Sequence, residues 1–319
     1  MIRLPLSFVS PAGPRGRLSI LIFHRVLAEP DPLFPNEPSA VEFESWMRWI
    51  KDWFNVMPLE LGIARLYAGT IPARAIAITF DDGYADNEAL AAPILKRLGL
   101  TATFFIASGF LSGGCMFNDR VIEAIRGCSA EHLDLTSIGL GSFPLDSIEA
   151  RQLAISSLLT NIKHIEYAER QSMANAIALN AGATSVPQLM MSPDQIRSLR
   201  AQGMDIGGHT IMHPILTRLT SQAAFEEISR GKSELEQIVR SPVGLFAYPN
   251  GVPNQDYGAE HARMVRECGF SAAVSTAWGV ATSRIDRYQL PRFTPWGHTK
   301  LRWGARLLTN FRVPVVAAI

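Results

Sequence analysis

The run "RAIAITF" (Arg74–Phe80) narrows the possible folds more than any other stretch of the chain. It is apolar without alternation, and a strand of that kind is covered on both faces. The helix-patterned "NEALAAPILKRLG" follows and stops at Gly99, and "TATFFIAS" is then a second apolar run of strand length. Strand, helix and strand at this spacing form a βαβ unit, and hence a parallel sheet. The same alternation runs through most of the chain. "LSILIFHRV" reads as a first strand, and Ser39 is placed to cap the amphipathic helix "AVEFESWMRWIKDWF". "NVMPL" reads as a short strand and "ELGIARLYAG" as a short helix. Later, "SPDQIRSLRAQG" leads to "MDIGGHT", "SQAAFEEISRGKSELEQIV" to "GLFAYP", and "YGAEHARMVRECG" to "FSAAVST". "YQLPRFTP" supplies a last short strand. About seven β/α repeats result, which is an α/β fold of the distorted (β/α)7-type barrel class.

Residues 118–193 break the rhythm and read as helices without good strands, a helical insertion within the barrel. The expected organisation is an N-terminal extension over 1–17, the barrel over 18–295 with its insertion, and a C-terminal tail over 296–319. The chain has 319 residues, 47% of them hydrophobic, which is enough for a substantial core. Its formal net charge of +1 gives no sign of a nucleic-acid partner. Cys115, Cys128 and Cys268 are odd in number and scattered, which argues against a disulfide framework or a cysteine zinc site. No apolar run approaches the roughly 18 residues that span a bilayer. The opening "MIRLPLSFVSPAGPRG" is broken by Pro5 and Pro11 and makes a poor secretory signal. The expectation is a soluble, cytoplasmic protein without a transmembrane segment.

In parallel α/β folds, ligands bind at the carboxyl ends of the strands. Four polar clusters fall at such ends: His24-Arg25, Asp81-Asp82-Gly83, His209 with His213, and Tyr248-Pro249-Asn250-Gly251. A barrel brings them to one rim. His209 and His213 have a spacing that faces a metal on a helix, but Pro214 and Gly207-Gly208 make the segment a strand-to-turn passage. Alone, such a pair is ordinary polar surface; with a carboxylate on the same rim it becomes an open metal site. Asp81 and Asp82 point to opposite sides at a strand end, so one can ligate a cation while the other accepts a proton. The plainer alternative is a turn-forming Asp-Gly with a capping aspartate. Asp86 is better placed to cap the helix from Asn87, which frees the earlier pair.

Together, "TFDDG", "HTIMHP" and "FAYPNG", in this order on this α/β pattern, resemble the polysaccharide deacetylases. These are the family four carbohydrate esterases, which include the nodulation-type chitooligosaccharide deacetylases. The resemblance runs from about Leu18 to Pro295. It implies a barrel of seven or eight β/α units, one divalent metal, and removal of acetyl groups from N-acetylated sugars. Zinc is the first expectation for the metal, with Co2+, Ni2+ and Fe2+ as other occupants. By the same resemblance Asp81 is the base, and Asp82, His209 and His213 are the metal ligands. Tyr248, Pro249 and Asn250 meet the substrate, and a backbone N–H near Tyr248 holds the oxyanion.

The chain also departs from that family. Phe246-Ala247 stands where the pattern has an arginine, and the later Leu-x-Leu-His motif that normally gives the general acid is absent. "LPRFTPWGH" offers substitutes: Arg292 to orient Asp81, and His298 as the acid, with His24 as its rival. Asn118-Asp119 would line a groove or simply cap a helix. Trp278 and Trp296 would stack on sugar rings, whereas Trp46, Trp49, Trp53 and Phe54 have the spacing of a core face. The alternatives to a deacetylase are a metal-containing glycan-binding protein without turnover and a non-haem iron oxygenase, since two histidines and a carboxylate also suit iron.

Overall fold

The structure, a computed structural model, describes residues 3–111, 113–294, 297 and 299–319. Within these, nine strands are β1 (Leu18–Phe23), β2 (Asn55–Val56), β3 (Ala75–Phe80), β4 (Thr103–Ile106), β5 (His132–Asp134), β6 (Ser142–Pro144), β7 (Asp205–Gly208), β8 (Leu245–Ala247) and β9 (Ala272–Val274). The chain divides into two compact units.

The first unit takes in Met1–Glu29, Asn36–Gly109 and Met191–Ile319. Its sheet is parallel throughout, in the order β1-β3-β4-β7-β8-β9, with β2 also paired to β3. Every residue of β1 and β3 is buried, as strands covered on both faces must be. The sheet curls back on itself through a segment of bridges rather than a regular strand. Leu290 bridges Val274 of β9, and Phe293 bridges Leu21 of β1. This is the final strand expected over "YQLPRFTP", reduced to single bridges because Pro291 lacks the N–H a ladder needs. The result is a distorted α/β barrel.

The helices follow the sequence pattern closely. Ser39 closes a capping box with Glu42 at the head of Ala40–Trp53, and the longest helix covers Ser221–Val239. Trp46 and Trp49 pack on Trp303 of the helix Lys300–Asn310, so the tryptophan row is core. The C-terminal apolar run is pinned as well: the Ala318 N–H donates to Gln289 Oε1 at 2.6 Å. No described helix is long and apolar enough to cross a membrane.

The second unit, Pro30–Pro35 with Phe110–Met190, has a core of its own around Val121, Leu158 and Ile177. Its helices are Phe117–Gly127, Ile148–Ile162 and Tyr167–Asn180. It also contains an antiparallel hairpin of β5 and β6, which corrects the expectation of helices alone. Strands of three residues, with His132, Asp134 and Ser142 exposed, are too short and polar to show a period of two. Asp119 accepts the Met116 N–H at 3.2 Å and serves as a helix cap.

Gly207 explains the glycine pair in β7. A Cβ there would meet the Phe105 ring at 2.3 Å and the Leu245 carbonyl oxygen at 3.0 Å. Gly207→Ala is therefore expected to destabilise the protein by about 1–3 kcal/mol through overpacking, read as a lower urea midpoint with an unchanged slope.

Candidate active site

The carboxyl ends of β1, β3, β7 and β8 deliver His24, Asp81-Asp82, His209 and Tyr248 respectively. At the end of β3 the chain turns sharply: the Gly83 N–H donates to the Asp81 carbonyl at 3.0 Å, and Asp82 takes a left-handed φ of 76°. Aspartate tolerates that region better than most residues. The turn sends the two carboxylates apart.

Asp81 faces Arg292, which is fully buried. The guanidinium grips it with both arms, Nη1 to Oδ1 and Nη2 to Oδ2, each at 2.7 Å. Nη1 also reaches Thr79 Oγ1 at 3.2 Å, and Nε donates to the Ser275 carbonyl at 2.9 Å. Burial pushes the Asp81 carboxyl up, but the charges of Arg292 and then His209 outweigh it, and the net direction is down.

Asp82 faces the two histidines. Its Oδ1 lies 3.4 Å from Nε2 of His209 and 3.4 Å from Nε2 of His213. His209 is turned by its other nitrogen: Nδ1–H donates to the Ala247 carbonyl at 2.7 Å, which leaves Nε2 to face Asp82. His213 reaches the cluster through a tight turn. Thr210 and His213 have left-handed φ values of 64° and 52°, and the His213 N–H donates to Thr210 Oγ1 at 3.1 Å. Three non-glycine residues in that region, Asp82 included, cost about 1–3 kcal/mol each and mark a site whose surroundings hold it in place.

The donor set suits a cation. One carboxylate oxygen and two imidazole nitrogens lie within 4.8 Å of one another. Two ligands about 2.0–2.1 Å from a tetrahedral centre stand about 3.3–3.4 Å apart, and the Asp82–histidine separations of 3.4 Å fall at that value. The carbonyl that orients His209 is the outer partner a metal-ligating histidine needs. Burial pushes the Asp82 carboxyl up, but the hydrogen bond to His209 and the charges of His213 and His24 carry it well below the usual range. For His209, burial lowers the pKa, yet the hydrogen bond to Asp82 and the charges of Asp81 and Asp82 win, and it rises above its ordinary value.

Other expected residues fare differently. The Tyr248 ring is not at the surface: it is fully buried, stacked on Tyr257 at 3.8 Å, with its hydroxyl on the Tyr288 carbonyl at 2.8 Å. Its N–H donates to the Val274 carbonyl at 3.2 Å. An aromatic residue ending a buried strand continues the core, and the Tyr248 ring does so here. Pro249 is buried and Asn250 half-buried, with φ of 57° and its carbonyl held by Thr276 Oγ1 at 2.7 Å. Asp86 does not cap its helix. It binds Arg25 at 2.8 Å instead and accepts the Val26 N–H at 3.3 Å. His24 is half-buried, with its carbonyl taken by Asn87. It lies near enough to act electrostatically on Asp81, Asp82 and Glu37. Glu37, whose carboxyl burial pushes up, went unnoticed in the sequence because it sits in a proline-rich loop. Trp278 is about half exposed, at 48%, against Phe293. His298 and Trp296 lie outside the described residues.

A barrel rim carrying this cluster defines a class. The sequence model of the polysaccharide deacetylase family matches residues 68–130 and 160–273, more than half of the chain, and the chain belongs to that family. The Bacillus subtilis (strain 168) protein YxkH is 22% identical over 279 residues, spanning 87% of this chain and 71% of that one. Among solved structures, the Streptococcus pyogenes deacetylase PplD in complex with acetate aligns with a TM-score of 0.61 at 17% identity, covering 93% of this chain and 99% of that one. IcaB from Ammonifex degensii aligns with a TM-score of 0.57 at 17% identity, covering 95% and 99%. At such identities the structural matches establish the shared fold.

Two outcomes follow from the electrostatics. In the metal-free protein the charged form of His209 contributes stability that is complete below its unfolded pKa of about 6.5 and is lost as pH rises through the raised folded value. A cation must displace that proton, so zinc affinity is expected to rise from pH 5.5 to 7.5, by roughly tenfold per pH unit for each proton released; titration calorimetry in two buffers of different ionisation heat measures both. Arg292→Leu strands a buried charge on Asp81 and is expected to cost about 3–5 kcal/mol. Adding Asp81→Asn should recover part of that loss in urea unfolding.

Proposed function

We propose that this chain is a metal-dependent hydrolase that removes N-acetyl groups from an N-acetylated poly- or oligosaccharide. The observation that carries the reading is the convergence of Asp82, His209 and His213 beside a separately held Asp81. Asp82, His209 and His213 would hold one divalent cation. Two imidazoles and a carboxylate favour zinc, and Co2+, Ni2+ and Fe2+ accept the same donors. When bound, the cation supplies Lewis-acid chemistry, polarising the acyl oxygen and lowering the pKa of a water.

Asp81 would take the proton from the water that attacks the acetyl carbon. A carboxylate held this low is a poor base toward bulk water and is matched to an acidified one. Arg292 keeps Asp81 ionised and fixes its orientation, so it acts as a positioning residue. His24, at the end of β1 and outside the ligand set, would be the group to protonate the departing sugar nitrogen. The bond from nitrogen to the acetyl carbon breaks, acetate leaves, and an amine remains on the sugar. Asn250, just past β8, would meet the substrate. Acetate is also the molecule named with PplD.

The test is acetate release from a panel of N-acetylated oligosaccharides, with and without chelator. Chelator-sensitive release is expected, and Asp81→Asn should lower it by about 10²–10⁴-fold while metal content holds. A complete lack of chelator-sensitive release across the panel sinks the proposal. Sugar binding by the wild type without any turnover would favour the glycan-binding alternative.

A further inference from the structure

The helix Ser221–Val239 presents Glu227, Gly231 and Glu234 at spacings of four and three, along one face. That face meets the turn carrying the two histidines. Glu227 Oε2 accepts the N–H groups of both Ile211 and Met212, each at 2.9 Å. One turn along, a Cβ on Gly231 would lie 2.9 Å from the Thr210 carbonyl carbon and 3.0 Å from its oxygen, so the helix approaches the turn as closely as backbone allows. Glu234 Oε2 accepts from Ser108 Oγ at 2.6 Å. Ser108 and Gly109 in turn donate their N–H groups to the carbonyls of Thr210 and Ile211, at 3.2 and 2.9 Å. The turn is thus gripped from two sides, its amides by the helix and its carbonyls by the loop after β4.

We propose that Glu227 is a positioning residue for metal binding. Its carboxylate gathers two successive amides of a left-handed turn, the arrangement in which backbone N–H groups converge on an anion. Hydrogen bonds to a charged acceptor are the stronger kind. Glu227 therefore holds His213 in its ligating position before a cation arrives, and the backbone strain at Thr210 and His213 is offset by the helix. The inference rests on the reading of Asp82, His209 and His213 as a metal site. Glu226, one residue earlier and exposed, has Gln222 as its partner at 2.8 Å and does not touch the turn, which makes it the matched control.

The experiment compares Glu227→Gln with Glu226→Gln in the full-length protein. Glu227→Gln is expected to weaken zinc affinity by about ten- to a hundredfold, as removal of an outer partner does, while the metal-free protein stays folded with a thermal midpoint only slightly below that of the control. Excess zinc should restore its kcat with KM unchanged, a pattern that a general loss of stability does not produce. Independently of any variant, the Ile211 and Met212 amides of the metal-free wild type should be protected from hydrogen exchange although both residues are only half-buried. Exchange at open-loop rates overturns the proposal, as does a zinc affinity for Glu227→Gln equal to the control. A wild type with protected amides that binds no divalent cation overturns the metal-site reading instead, and with it this role for Glu227.

Discussion

The buried pair of Arg292 and Asp81 is the interaction on which the rest of the barrel end depends. Two neighbouring carboxylates cannot both sit ionised in a buried place without cations. Arg292 neutralises one of them with two hydrogen bonds and so leaves the other to the histidines. The same guanidinium also binds the Ser275 carbonyl just past β9 and Thr79 inside β3. Because Arg292 lies between the bridges at Leu290 and Phe293, it ties the segment that closes the sheet to the strand that carries the site. Closure of the barrel and the charge balance of the site are therefore one structural event. A barrel left open here would also strand a buried carboxylate.

Much of this was legible in the sequence because it depends on local pattern. Apolar runs of strand length, periodic helices and their caps gave nearly every element of the first unit, and "TFDDG" with "HTIMHP" pointed to the cluster. What stayed hidden depends on contacts across the fold. That Nδ1 of His209 is held by the Ala247 carbonyl cannot be seen, since a backbone oxygen carries no letter. Asp86 reads as a cap because a cap is a local device; its real partner, Arg25, lies 61 positions away. The motif gives Tyr248 a place at a strand end but not the direction of its ring, which packs on Tyr257 in the core. The hairpin of β5 and β6 is too short and too polar to leave a pattern.

The strained residues at the rim share a logic. Asp82, Thr210, His213 and Asn250 all have positive φ without being glycine, and each follows the end of a parallel strand. Parallel strands end in open carbonyls and amides, and a tight turn there brings side chains inward at the expense of backbone strain. The surrounding hydrogen bonds offset it: Ala107 donates to the Asp82 carbonyl, Thr276 to Asn250, and the Glu227 carboxylate accepts from the turn after His209. These supports come from neighbouring strands, loops and a helix, so the precision of the rim is a property of the barrel.

The departure at Phe246-Ala247 and the presence of Arg292 fit together as two halves of one arrangement. Where the family pattern places an arginine, this chain has Phe246-Ala247, with the Phe246 ring packed between Phe270 and Tyr248 at 5.2 and 5.3 Å. The cation that Asp81 requires comes from the closing segment between β9 and β1. Ala247, a small residue, brings its carbonyl to 2.7 Å from His209 Nδ1. The same two needs, a cation on the first aspartate and an oriented imidazole, are met by different strands, which is why a motif read alone understated what the barrel end contains.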